Sequence, residues 1–113
     1  MVNVNELRIG NSIYNEHNRR IEVTFQVLEA IYHHRGIYNY IPLSEDILLN
    51  CGAIKKQNFN CFPSFNLKGL QINYINDMWI EYVSQVQITG LHHLQNIFYF
   101  RMSEELSVFA NGS

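Results

Sequence analysis

The stretch "GLQINYINDMWIEYVSQVQI" (69–88) constrains the fold most, because Asn76-Asp77 separates two runs of alternating apolar and polar residues. Two residues that tolerate a left-handed backbone, flanked by period-two patterns, predict an antiparallel hairpin with a two-residue turn. Leu70, Ile72 and Tyr74 share a face of the incoming strand. Met78, Ile80, Tyr82, Val86 and Ile88 share a face of the return. Trp79 then falls opposite them beside Glu81 and Gln85, a large aromatic in polar company.

Earlier in the chain the same alternation recurs. Ile21, Val23, Phe25 and Val27 alternate with Glu22, Thr24 and Gln26, between a turn-rich "NEHNR" and a second turn at Arg35-Gly36. The apolar phase then slips to Leu28, Ala30 and Tyr32, which a β-bulge near Val27-Leu28 would produce. "PLSEDILLNCG" reads as a short helix: Ser44 caps it, Glu45 and Asp46 suit its positive end, and Gly52 stops it. Ile47, Leu48 and Cys51 form its buried stripe, making Cys51 a core residue. Leu91, Leu94, Ile97, Phe98 and Met102 have the spacing of a longer C-terminal helix. The expectation is a single α+β domain over 1–113, with a frayed tail at about 109–113. A curled, partly barrel-like antiparallel sheet would carry the short middle helix and the longer C-terminal one. Hydrophobic residues make up 47% of the chain, enough for a proper core.

The chemistry-bearing residues do not assemble into a catalytic pattern. His92 and His93 are adjacent, so on a helix they point about 100 degrees apart and cannot both ligate one ion as a His-x-x-x-His pair would. That geometry puts His92 on a polar strip with Asn96 and Tyr99. His33 and His34, read as strand residues, face opposite ways. No nucleophile elbow, phosphate loop or Cys-x-x-Cys occurs, and Cys61 has no nearby base to activate it. The Glu45-Asp46 and Glu104-Glu105 pairs sit at helix starts, where the dipole explains them. No catalytic residue, metal, cofactor or small-molecule ligand is expected. A formal charge of −2 argues against bulk nucleic-acid affinity, which needs a basic excess. Met1 to Asn5 does not read as a signal peptide and no stretch reaches membrane-spanning length, so the expected location is the cytoplasm, with reduced thiols.

Binding signals are stronger. Tyr38, Tyr40, Phe59, Phe62, Phe65 and Trp79 are rings beside asparagines or other polar residues, a composition found on partner-binding surfaces. The same rings would equally fill a second layer of core. Arg19, Arg20, Arg35, Lys55 and Lys56 could form a basic, RNA-facing patch; ordinary solvated surface charge is the plainer reading.

Three segments, "ELRIGNSIYNE", "IPLSEDILLNCGA" and "LHHLQNIFYFRMSEEL", together resemble a family of small phage and prophage proteins. Its members carry an "ELRIGN" start, a "PIPLTEEWLLKFGF"-like middle and a "LHQLQNLYFALTGEEL"-like end. The resemblance spans nearly the whole chain. This sequence departs at His93, where the family commonly has Gln, and at Asn50-Cys51, where a Lys-Phe type pair is usual. A general base would not commonly be Gln, so the departure weakens a catalytic reading of His93. The resemblance transfers no functional residues. It implies a phage accessory protein acting in the cytoplasm of a bacterial host, non-enzymatic and directed at host defence. In its most specific form this is an anti-CRISPR protein that binds the RNA-targeting type VI-B effector and interferes with guide or target RNA binding or with activation. The partner would be that host CRISPR effector, with or without its RNA. The alternative is a nucleic-acid-binding phage regulator.

Overall fold

A computed structural model describes residues 2–56 and 62–106. A 3-10 turn, Val4–Glu6, leads into strand β1 (Ser12–Tyr14), strand β2 (Arg20–Glu22) and helix α1 (Phe25–Tyr32). Strand β3 (Asn39–Tyr40), helix α2 (Glu45–Asn50) and strands β4 (Ile54–Lys56), β5 (Ser64–Leu67) and β6 (Leu70–Ile75) follow. Strands β7 (Met78–Glu81) and β8 (Gln87–Ile88) and helix α3 (Leu91–Met102) complete the order. The class is α+β, with the short middle helix and longer C-terminal helix as expected. In place of one curled, partly barrel-like sheet, the described residues form two open antiparallel sheets, β2-β1-β3 and β4-β5-β6-β7-β8.

The central hairpin forms at Asn76-Asp77, both with positive φ (52° and 63°), as a two-residue turn of this kind requires. That turn pairs Ile75 with Met78, and counting outward pairs Tyr74 with Trp79 and Ile72 with Glu81. Trp79 and Glu81 therefore share the face of Ile72, the core face, which corrects the expected placement of Met78, Ile80 and Tyr82 there. Register, not hydrophobicity, decides the side.

The second correction concerns Phe25–Tyr32, a helix where a bulged strand was expected. Thr24 ends the strand pattern: its side chain accepts from the Val27 N–H at 3.3 Å, a helix N-cap. The apparent phase slip was the change of period from two to 3.6, since Phe25, Leu28 and Tyr32 share a helical face. Helix α2 follows its signals, with the Ser44 hydroxyl accepting from Ile47 N at 3.2 Å and Gly52 at φ +97°.

Helix α3 closes the core. Leu91, Leu94 and Phe98 are buried with Phe65, Leu67, Leu70 and Ile72 from the larger sheet and Leu48 from α2. Cys51 joins this cluster, and burial pushes its thiol pKa up to about 11, so it is an inert packing residue.

Candidate interaction surfaces

The segments 6–16, 41–53 and 91–106 meet in space. Arg8 grips Glu105 with both terminal nitrogens, each at 2.8 Å, and its Nε donates to Asn96 Oδ1 at 3.1 Å. Its guanidinium lies 4.4 Å from the centre of the Tyr99 ring. Asn11 donates to the same Asn96 oxygen at 2.8 Å, and Asn96 donates to the Glu6 carbonyl at 3.3 Å. The Ser12 N–H donates to Gln95 Oε1 at 2.7 Å, out of solvent. Gly10 turns the chain at φ +100°, where a Cβ would sit 3.3 Å from the Glu105 carboxylate. The Arg8 hydrogen bond is the chief cause lowering the Glu105 pKa. Residues of "ELRIGN" thus clamp the last helix, and the "IP" segment joins through Leu91 N donating to the Ile41 carbonyl at 2.8 Å.

His92 belongs to this clasp. It is 1% exposed, stacked on Tyr40 at 4.0 Å with an 11° tilt, and its Nε2 lies 3.6 Å from Glu6 Oε1. The expected solvent-facing strip of His92, Asn96 and Tyr99 is corrected accordingly: strand β3 and the 3-10 turn cover its first residue. Burial lowers the His92 pKa below the ordinary histidine value, with Glu6 pulling the other way. Among the described residues, its Nδ1 has no hydrogen-bond partner, consistent with a neutral ring. Among the described residues, no group of three His, Cys, Asp or Glu is placed to hold a metal ion.

The aromatic candidates separate. Phe65 is fully buried and belongs to the core, a correction to its reading as a partner contact. Trp79 is half-buried: it packs on Phe65 and Tyr74, and its indole N–H donates to the Leu43 carbonyl at 3.0 Å. Tyr40 is held by His92 and by the Asn3 N–H, which donates to its hydroxyl at 2.7 Å. Phe62 is half-buried, and Phe59, like Cys61, lies outside the described residues. Tyr38 lines an open cleft, and Trp79 lines a second one with Leu43, Pro63 and Tyr74.

The basic candidates occupy three elements. Arg19 and Arg20 lie at β2, the edge of the smaller sheet, where Arg20 shares a depression with Glu22 and Glu105. Arg35 follows α1 and pairs with Glu29 at 3.2 Å. Lys55 and Lys56 are on β4, an edge of the larger sheet, with Lys55 paired to Glu45 at 3.1 Å.

Two surfaces escaped the sequence reading. Helix α1 has no buried residue, although five of its eight side chains are large and apolar. Phe25 and Tyr32 are 65% and 68% exposed, and Ile37 beyond it 56%. Val4, Ile31, Tyr32 and Tyr38 help to line a cleft of ≈ 350 Å³ between α1 and the N-terminal segment. The helical spacing of Phe25, Leu28 and Tyr32 was the available signal, hidden because it overlapped a strand pattern.

The second surface joins α3 to the β7–β8 turn. Phe100 is 84% exposed, and Tyr82, Val83 and Val86 are exposed beside a groove of ≈ 410 Å³ that Val86, Ile97 and Phe100 line. Phe100 follows Phe98 by two residues, about 200 degrees round the helix from the buried stripe. Beneath lies Glu81, wholly buried. It accepts from Val83 N (2.7 Å), Ser84 N (3.1 Å), Ser84 Oγ (2.7 Å) and Arg101 Nη2 (2.8 Å). Burial pushes its pKa up, but these donors more than offset that and hold it below the usual carboxylate value.

No helix among the described residues is long and apolar enough to cross a membrane. Comparison with protein-family models, curated proteins and solved structures returns no match for this chain.

Proposed function

We propose that this protein is a non-enzymatic inhibitor that works by binding a protein partner through α1 and the adjoining cleft. One observation carries the reading: helix α1 exposes the large rings of Phe25 and Tyr32, and none of its residues is fully buried. Leaving such side chains exposed forgoes roughly 1.5–3 kcal/mol for each that could be fully buried. A partner that covers them recovers that energy on binding. Tyr38 and Tyr32 at the cleft supply amphipathic rings of the kind that dominate interfaces. The polar residues of the signature are committed to the clasp and offer no comparable anchor.

The resemblance to small phage proteins makes a host defence complex the partner class. Its most specific form is an anti-CRISPR protein acting on the type VI-B effector in the host cytoplasm, where occupation of the effector would obstruct guide or target RNA or hold it inactive. The test is calorimetric titration of the protein into purified effector loaded with guide RNA. The expected outcome is a stable complex, weakened at least tenfold by Phe25→Ala with Tyr32→Ala. Wild-type affinity in that double variant removes α1 from the account. Absence of a complex, with direct RNA binding that falls steeply with salt, replaces the proposal with the nucleic-acid regulator.

A further inference from the structure

We infer that the ridge made by Trp79 and Tyr74 is a second docking surface, and that it takes the guanidinium of an arginine presented by a protein partner. Shape comes first. Trp79 stands between two clefts, of ≈ 380 and ≈ 340 Å³, that share Leu43, Tyr74 and Trp79 itself. Pro63 lines the first and Pro42 the second, so each adds a rigid apolar face to the rings. The ridge is already set in place. The indole N–H donates to the Leu43 carbonyl at 3.0 Å, and the ring packs on Phe65 and, at 4.5 Å, on Tyr74. A partner that docks there need not order a loose side chain on this side of the contact.

Charge names the occupant. The ionised residues that line the clefts are both carboxylates, Glu45 in the first and Asp77 in the second. Among the described residues, the Asp77 carboxylate makes no hydrogen bond or ion pair. Glu45 gives one oxygen to Lys55 at 3.1 Å and keeps the other. Ring faces beside an unspent carboxylate suit a cation. The guanidinium suits them best, because it is planar, stacks on aromatic faces and pairs with carboxylates through several N–H groups. A phosphate backbone would meet two like charges here, and a purely apolar group would cover both carboxylates without pairing them.

The chain holds the same arrangement filled by one of its own residues. Arg8 lies 4.4 Å from the centre of the Tyr99 ring and takes the Glu105 carboxylate with two nitrogens, each at 2.8 Å. There ring and carboxylate are satisfied from within. At the Trp79 ridge the rings and Asp77 stand without a guanidinium. The ridge shares no lining residue with the cleft at α1, so each surface is testable with the other disabled.

Trp79 is the single tryptophan of the chain, so its fluorescence reads the ridge directly. The probe is a short blocked Ser/Gly peptide carrying two arginines, titrated into the full chain at low salt beside the same peptide with citrulline in place of arginine. The expected result is a saturable change in Trp79 emission with the arginine peptide. Binding should be at least tenfold weaker for the citrulline peptide, which keeps the shape and loses the charge. Asp77→Asn should weaken the arginine peptide several-fold without disturbing the fold, because Asn tolerates the left-handed backbone (φ 63°) at that turn. Adding Glu45→Gln should weaken it further, whereas Phe25→Ala with Tyr32→Ala should leave it unchanged. An emission that ignores the arginine peptide at millimolar concentration, or answers the citrulline peptide equally, overturns the inference. So does wild-type affinity in the folded Asp77→Asn, Glu45→Gln variant.

Discussion

The clasp and helix α1 lie next to each other and are built in opposite ways. In the clasp, Arg8, Asn11, Gln95 and Asn96 meet one another or the backbone through short hydrogen bonds, drawing the N-terminal segment onto α3. In α1 five of the eight side chains are large and apolar, and the helix rests on the Val4–Glu6 turn with none of its residues fully buried. Residues that specify a fold spend their bonding capacity inside it. A surface held in reserve for a partner shows unspent apolar area. The clasp residues are of the first kind, and the apolar residues of α1 are of the second.

The comparison breaks most readily at Gln95. Replacing it by Ala strands the buried Ser12 N–H, and the expected loss is about 1–3 kcal/mol in urea unfolding. An unchanged midpoint would show that the clasp does not hold the sheet to α3. A smaller, pH-dependent effect comes from His92. Burial depresses its folded pKa below 6.5, so the unfolded chain takes up the proton first. Its contribution is fully present above that unfolded value and is lost as pH falls through it toward the folded pKa. His93, also depressed by burial, adds a slope of the same sign. Unfolding midpoints should therefore fall between neutral and mildly acid pH, and the His92→Gln, His93→Gln double variant should flatten the slope over that interval. A slope of equal size in that variant assigns it elsewhere.

The smallest stability effect is expected in α1. Phe25→Ala with Tyr32→Ala should move stability by no more than about 0.5 kcal/mol, as at other exposed positions. A loss of several kcal/mol would mean that α1 supports the core and is not held out for a partner. Small stability cost joined to a large binding cost separates this helix from the clasp.

Much of the architecture was legible in the sequence, for local reasons. Ser44 and Gly52 mark the ends of α2 by their own capping chemistry, and Asn76-Asp77 marks the hairpin by its backbone tolerance. The errors arose where one pattern satisfied two periods. Ile21 to Val27 alternates cleanly, so the cap at Thr24 passed as one more polar strand residue. On β7 the apolar Met78 and Ile80 seemed to define the core face, whereas the short turn placed Trp79 and Glu81 there. A buried Glu is invisible to a hydrophobic pattern, because its donors in Ser84 and Arg101 come from a turn and a distant helix. The interaction surfaces were least legible of all. Whether Phe25, Phe65 or Phe100 is exposed depends on what the rest of the chain packs over it, and no residue type states that by itself.

Amide hydrogen exchange, run on the protein alone and mixed with the guide-loaded type VI-B effector proposed as its partner, compares the two regions in one measurement. The account predicts that α1, from Phe25 to Tyr32, exchanges readily when free and becomes protected in the complex. Peptides spanning Leu91 to Phe98 should be protected in both states. Protection gained elsewhere, with α1 unchanged, would contradict it.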